Sequence, residues 1–285
     1  MNNILVTGAK GQLGSELNEL SKNYLDYNFF FTDFSELDIS DFTAVKNFIS
    51  ENKINIIINC AAYTAVDKAE SQIELADAIN HLAVANFAIL AKENNIKFVH
   101  ISTDYVFDST NNKPYKENCE PNPKSVYGET KLNGELAIQK IKPLNSIIIR
   151  TSWVYSKYGN NFVKTILRLA DLKDQINVVS DQFGSPTNAA DLAKTIMVIL
   201  PKIDNFNVEI FHYSNEGVTN WYDFAKAISK ISGKNLKINS ILTEHYPTQA
   251  KRPSYSVLDK SKIKNKFDLI IPNWEKSLVK YFSKK

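Results

Sequence analysis

The chain has 285 residues, 44% hydrophobic and 23% charged, with 34 basic and 31 acidic residues and a net charge of +3. That balance excludes a disordered or low-complexity chain, and scattered charges of both signs give no global electrostatic case for nucleic acid or an anionic membrane. The length fits one large α/β domain, or one plus a smaller lobe.

In chain order, short apolar runs alternate with longer amphipathic stretches. The runs lie near 2–8, 28–33, 54–60, 96–103 and 146–152 and are rich in Ile, Val or Phe. They are nearly continuous rather than alternating, the pattern of strands buried on both faces of a parallel sheet. The intervening stretches are mostly long enough for crossover helices. The series predicts an α/β, Rossmann-like doubly wound parallel sheet. A sixth run at 176–181 is expected to join it. From residue 153 the rhythm loosens into helix-like segments near 161–172, 188–200, 220–231 and 273–283, with a strand-like run at 208–214. The expected division is 1–152, with the strand near 176–181 added back, and a smaller mixed α/β lobe over 153–285.

Cys60 and Cys119 lie far apart with no CxxC, which excludes a disulfide framework and is compatible with a reducing cytoplasm. No apolar run reaches the ~18 residues of a membrane span, and the N-terminus does not read as a signal peptide. His81, His100, His212 and His245 have no ligand spacing, so no metal site is expected.

Glycine is scarce, nine residues in all, yet Gly8, Gly11 and Gly14 fall at three-residue spacing just after the first predicted strand. In a strand–loop–helix junction such glycines allow a tight turn, backbone approach to a pyrophosphate and close helix packing. The helix start then offers free N–H groups to phosphates. The position points to a dinucleotide site over residues 1–152. Asp33, ending the second strand, suits an adenosine ribose and favours NAD, whereas Lys10 suits a 2′-phosphate and favours NADP; the two signals conflict.

Tyr127-Gly128-Glu129-Thr130-Lys131 puts a tyrosine and a lysine at i and i+4 on one face of a predicted helix. A lysine ammonium favours the phenolate, so Lys131 is expected to lower the pKa of Tyr127 for proton donation to a developing alkoxide. Gly128, without a side chain, is expected to leave space beside the cofactor. The fourth strand ends in Ser102 and Thr103, and active sites of open α/β sheets lie at such carboxyl ends.

With ILVTGAKGQLG, NCAAYTAVDKAE, HISTDYVFD, YGETK, IIRTSWVY, GNNFVKTILRLA and VVSDQFGSPT in order along nearly the whole chain, the sequence resembles the extended short-chain dehydrogenase/reductase superfamily. Within it, the set is similar to the dTDP-4-dehydrorhamnose reductase family. The resemblance implies NADPH- or NADH-dependent reduction of the C4 keto group of a dTDP-4-dehydro-β-L-rhamnose. It implies that Gly8, Gly11, Gln12 and Leu13 hold the pyrophosphate, that Asp33 approaches the ribose, and that Asp38 and Ile39 line the adenine pocket. Ala62, Tyr63 and Thr64 would pass under the cofactor. Tyr127 would be the proton donor, Lys131 would hold the nicotinamide ribose and tune Tyr127, and Thr103 would assist at the carbonyl. Asp104 and Trp153 would contact the sugar nucleotide, with Asn161 and Arg252 as further contacts to its diphosphate; the Trp153 indole can also be plain core.

Sugar-nucleotide dehydratases of the same fold carry an acidic pair after the threonine, whereas here Asp104 is followed by Tyr105. Some members of the family are dimers holding Mg²⁺ through glutamates. Glu16 matches one position, but Asn188-Ala189-Ala190-Asp191 lacks the other, so the resemblance leaves a homodimer open and puts its Mg²⁺ bridge in doubt. Two alternatives stay open: a reductase of another 4-keto deoxysugar nucleotide, and a non-catalytic regulatory subunit of this fold.

Overall fold

The computed structural model describes residues 2–283. The first half runs β1 (Asn2–Thr7), α1 (Gln12–Ser21), β2 (Tyr27–Thr32), α2 (Phe42–Glu51), β3 (Ile56–Asn59), α3 (Val66–Ala69), α4 (Ile73–Asp77), a π-helical turn (Ala78–Leu82), α5 (Ala83–Glu93), β4 (Lys97–Thr103), α6 (Val126–Ile141) and β5 (Ser146–Thr151). The second half adds β6 (Val154–Tyr155), α7 (Phe162–Leu172), β7 (Gln175–Val179), β8 (Phe183–Gly184), β9 (Thr187–Asn188), α8 (Ala189–Ile199), β10 (Glu209–His212), β11 (Thr219–Asn220), α9 (Trp221–Ser232), β12 (Lys237–Ile241), α10 (Ser261–Phe267) and α11 (Trp274–Ser283).

The main sheet has six strands in the order β10-β5-β4-β3-β1-β2, all pairs parallel. Alternate residues of each strand face opposite sides. Val6, Ile58, Val99 and Ile149 pack with Leu17 of α1, Ile196 of α8 and Phe267 of α10. Leu5, Ile57, Phe98 and Ile148 pack with Ile49 of α2, Phe87 of α5 and Ile138 of α6. Burial on both faces is why these strands read as continuous apolar runs.

One expectation is corrected. The run at 176–181 does not enter the main sheet; β7 pairs with β12 in a separate two-stranded sheet. Its Gln175 and Asn177 are exposed, the alternation of a strand covered on one face. The place beside β5 is taken by β10, from the run assigned above to the second lobe. Local composition marks a strand but does not choose its partner. The continuous helical stretch Ile73–Glu93 is also long and apolar enough to cross a membrane by length and composition. Its α5 part is a core helix here, with Val84, Phe87, Ala88 and Leu90 fully buried.

The second half builds its own core, where Val163 and Ile166 of α7, Val178 of β7, Phe224 and Ile228 of α9 and Leu278 of α11 pack together. It sits where β5 turns into β6, beside the carboxyl ends of the main strands. The strand order reverses between β1 and β3, and ligands of doubly wound sheets bind outside that switch point.

Candidate active site

A cavity of about 990 Å³ runs along those strand ends. At one end the chain leaves β1 through Gly8 (φ +66°), whose absent side chain would stand 2.8 Å from the Ala61 backbone. A Cβ on Gly14 would stand 2.3 Å from the Gly8 carbonyl oxygen. Both positions are closed to side chains, so the loop lies flat over the switch point. Gly11 precedes α1 without a side-chain cap, leaving first-turn N–H groups available to an anion. Gly8, Gly11, Gln12 and Leu13 line the cavity together with Asp33, Asp38 and Ile39.

Asp33 accepts from the Lys10 N–H at 2.8 Å and the Phe34 N–H at 2.9 Å. The Lys10 ammonium turns outward to Glu36 at 2.8 Å and Ser35 at 2.9 Å. The acid is thus tied to the loop, and the base is engaged by a neighbouring carboxylate.

At the other end α6 starts with Ser125 capping the Gly128 N–H at 3.2 Å. Tyr127 and Lys131 project from its first turns and are 9% and 1% exposed. Burial raises the Tyr127 phenol far above its ordinary pKa, and a hydrogen bond with Thr103 opposes this. The expected lowering by Lys131 is therefore not what the geometry gives. Lys131 Nζ instead donates to the Ile101 carbonyl at 2.6 Å and lies 3.2 Å from His100 Nε2. Burial holds its pKa down to about 8, opposed by Glu135 and Cys60. Gly128 does not open space beside a cofactor either: a Cβ there would meet the Tyr105 carbonyl oxygen at 2.3 Å.

Thr103 donates to Asp104 Oδ1 at 3.1 Å. Asp104 is 2% exposed, its Oδ2 has no hydrogen-bond partner, and burial pushes its carboxyl up to about 6. Trp153 closes this end at the start of the second half. It holds φ +48°, a strained conformation for a bulky residue. Its indole stacks on Trp221 at 3.6 Å and 11° and touches the bare backbone of Gly184. Trp153 lines the cavity, so it is not plain core.

Most of the expected residues thus meet: Thr103, Asp104, Tyr127, Lys131, Trp153, Ala62 and Thr64 line the same cavity as the glycine loop. Tyr63 does not; its hydroxyl donates to Gln72 at 2.6 Å on the surface, and its backbone pairs with Asn80. Asn161 is spent on structure, capping α7 at Lys164 and donating to Gln12 and the Ser156 carbonyl. Arg252 lines an adjoining cavity of about 490 Å³ with Lys124 and Lys251. It is 2.5 Å from Asp67 and 3.1 Å from the Tyr105 hydroxyl. Glu16 accepts from Ser156 at 2.6 Å, and no cluster of three or more metal-ligating side chains occurs among the described residues. His100, Asn59 and Trp221 were not singled out from the sequence. A polar residue interrupting or ending an apolar strand was the available signal for the first two, His100 within β4 and Asn59 at the end of β3.

The sequence model of the family described as RmlD substrate binding domain matches residues 1–285. The dTDP-4-dehydrorhamnose reductase of Aggregatibacter actinomycetemcomitans is 42% identical over 98% of this chain and 97% of its own. A crystal structure of a dTDP-4-dehydrorhamnose reductase from Clostridium acetobutylicum superposes with a TM-score of 0.93 at 41% identity, covering 99% of this chain and 98% of that one. That of the Bacillus anthracis enzyme, in complex with NADP, gives 0.95 at 37% identity over the whole of both chains.

Proposed function

The chain belongs to the RmlD substrate binding domain family, and from that premise we propose that it reduces the C4 keto group of dTDP-4-dehydro-β-L-rhamnose with NADPH or NADH, giving dTDP-L-rhamnose. The observation that carries the reading is one cavity lined by the glycine loop and Asp33 and, further along, by Thr103, Tyr127 and Lys131. The loop fits a dinucleotide: its cradle at Gly8 and Gly14 is one a Cβ would fill, and it opens onto an uncapped helix start. Bound there, the dinucleotide supplies a hydride to the keto carbon.

The protein's part is proton supply and positioning. Burial keeps Tyr127 protonated near neutrality, so its hydroxyl gives a proton to the new O4 alkoxide. Thr103, lining the same cavity as Tyr127, would orient that donor. Lys131, lining the same cavity, has a pKa of about 8, within the range useful for restoring the tyrosine proton. Asp104 and Trp153 would face the sugar. Arg252, flanked by Lys124 and Lys251 at the second cavity, would meet the diphosphate once its pair with Asp67 opens. Binding energy from that remote part of the substrate would orient the carbonyl. The two free cysteines suit a reducing compartment such as the cytoplasm.

The test is oxidation of NADPH and of NADH by the purified protein with the dTDP-4-keto sugar. Tyr127→Phe should lower kcat by about 10²- to 10⁴-fold with cofactor affinity retained. No oxidation with either cofactor, or near-normal turnover by Tyr127→Phe, would overturn the proposal.

A further inference from the structure

Strands β1, β3 and β4 present Leu5, Ile57 and Phe98, all fully buried, to α2, α5 and α6. Two residues further along each strand the same face carries Thr7, Asn59 and His100, each 0% exposed. They are register partners, Thr7 opposite Asn59 and Asn59 opposite His100. Thr7 Oγ1 lies 2.6 Å from Asn59 Oδ1, the Asn59 amide nitrogen 3.1 Å from His100 Nδ1, and His100 Nε2 3.2 Å from Lys131 Nζ. A polar row in an apolar core is costly unless every member is satisfied. This one ends on a single atom, the Lys131 amine.

Donor counting constrains the row. An ammonium only donates, whereas each imidazole nitrogen can donate or accept. With Lys131 charged, Nε2 must accept, the ring proton sits on Nδ1, and the Asn59 carbonyl oxygen must face it. With Lys131 neutral, the amine gains a lone pair, so Nε2–H can donate to it; Nδ1 then accepts from the Asn59 NH₂, and Thr7 donates to the Asn59 oxygen. The amide stands in the second orientation. The two arrangements differ by one proton, which Lys131 exchanges with the cavity, while the ring keeps one proton throughout.

We propose that His100, held by Asn59 and Thr7, is a positioning residue for Lys131, and that its tautomer follows the charge on Lys131 so that the buried amine keeps a partner in both states. Burial supports this by holding His100 well below its ordinary pKa, so that the ring stays neutral. The other titratable groups about Lys131 are Tyr127 on its own helix, Cys60 after β3 and Glu135 one turn along α6. Burial pushes the Cys60 thiol up to about 12, and Glu135 is bound to Arg150, so neither competes as a proton carrier.

The proposal rests on assigning Lys131 to the reduction site, and half of its test needs no turnover. In ¹⁵N-histidine-labelled protein, two-bond proton–nitrogen spectra from about pH 6 to about pH 10 report each ring's tautomer, with His100 assigned by its loss in His100→Gln. A neutral His100 protonated at Nδ1 below about pH 8 and at Nε2 above it, with the change abolished in Lys131→Met, is the expected result. One tautomer across the range, or an unaltered change in Lys131→Met, would overturn it. In turnover, His100→Leu should lower kcat about 10- to 100-fold with little change in cofactor affinity. It should also move the alkaline limb of the kcat profile down by about one pH unit, because the ammonium loses an acceptor. His100→Gln, which restores an acceptor, should recover most of both. A rate loss with an unmoved limb would make His100 a packing residue only. A wild type that switches tautomer but never reduces the keto sugar would sink the proposed reaction and leave the coupling standing.

Discussion

Gly184 tests whether the Trp153 indole shapes the substrate end of the cavity. A methyl group there would lie 2.6 Å from Trp153 Cε2, 2.7 Å from Cζ2 and 2.9 Å from Nε1. Carbon atoms in contact sit ~3.5 Å apart, so the 2.6 Å approach forces the indole back by about 0.9 Å. Retreat is opposed by the stacked Trp221 ring and by a backbone already at φ +48°, whose carbonyl accepts from the Thr187 N–H at 3.1 Å. Overpacking of this kind costs ~1–3 kcal/mol, and misplacing a positioning group by ~1 Å costs up to ~100-fold in rate. Gly184→Ala is therefore expected to lower kcat/KM for the keto sugar by about 10- to 100-fold, measured by NADPH oxidation. Its NADPH affinity should fall less than its kcat/KM, because the clash falls on the Trp153 indole, whereas the glycine loop meets this segment through the Gln12 side chain, which donates to the Val154 carbonyl at 3.3 Å. Wild-type kcat/KM, or a loss confined to NADPH affinity, would refute the reasoning.

Asp104 makes a stability prediction. Its folded pKa of about 6 lies above the unfolded 3.8, so its favourable contribution is full below pH ~4 and is lost as pH rises through about 6. A shift of roughly two units corresponds to ~3 kcal/mol at most. Asp104→Asn should therefore gain on the wild type by ~1–3 kcal/mol between pH 4 and pH 8 in denaturant melts, and equal differences at both pH values would contradict it. Glu135 makes another: Arg150 and Glu135 are 2% and 0% exposed and pair at 2.6 Å. Glu135→Leu leaves Arg150 charged and buried, so unfolding free energy should fall by ~3–5 kcal/mol; a change below ~1 kcal/mol would mean the pair is solvated.

Four strands of the main sheet, β1, β3, β4 and β5, were legible because burial on both faces leaves a continuous apolar run, and the edge strand β2 was legible from its aromatic run. The glycine loop and the Tyr127–Lys131 spacing were legible because each rests on local geometry, a turn in one case and a helical i, i+4 face in the other. The exchange of the 176–181 and 208–214 runs was not, since strand pairing is fixed by distant neighbours rather than by the strand's own residues. Nor was the direction of the Tyr127 shift. Spacing put a lysine one helical turn away, but the folded packing buried the phenol and turned the amine to Ile101 and His100.

The sequence by itself therefore determined the doubly wound sheet, the glycine loop after β1 and the Tyr127–Lys131 pair on α6, each being a short-range pattern written into nearby residues. Only the tertiary structure decided that Asn161 is a helix cap, that Trp153 is held against Gly184 by Trp221, and that Thr7, Asn59 and His100 form one row beneath Lys131. Those roles depend on residues tens of positions apart meeting in a core where unpaired polar atoms are costly, and no local pattern encodes such meetings.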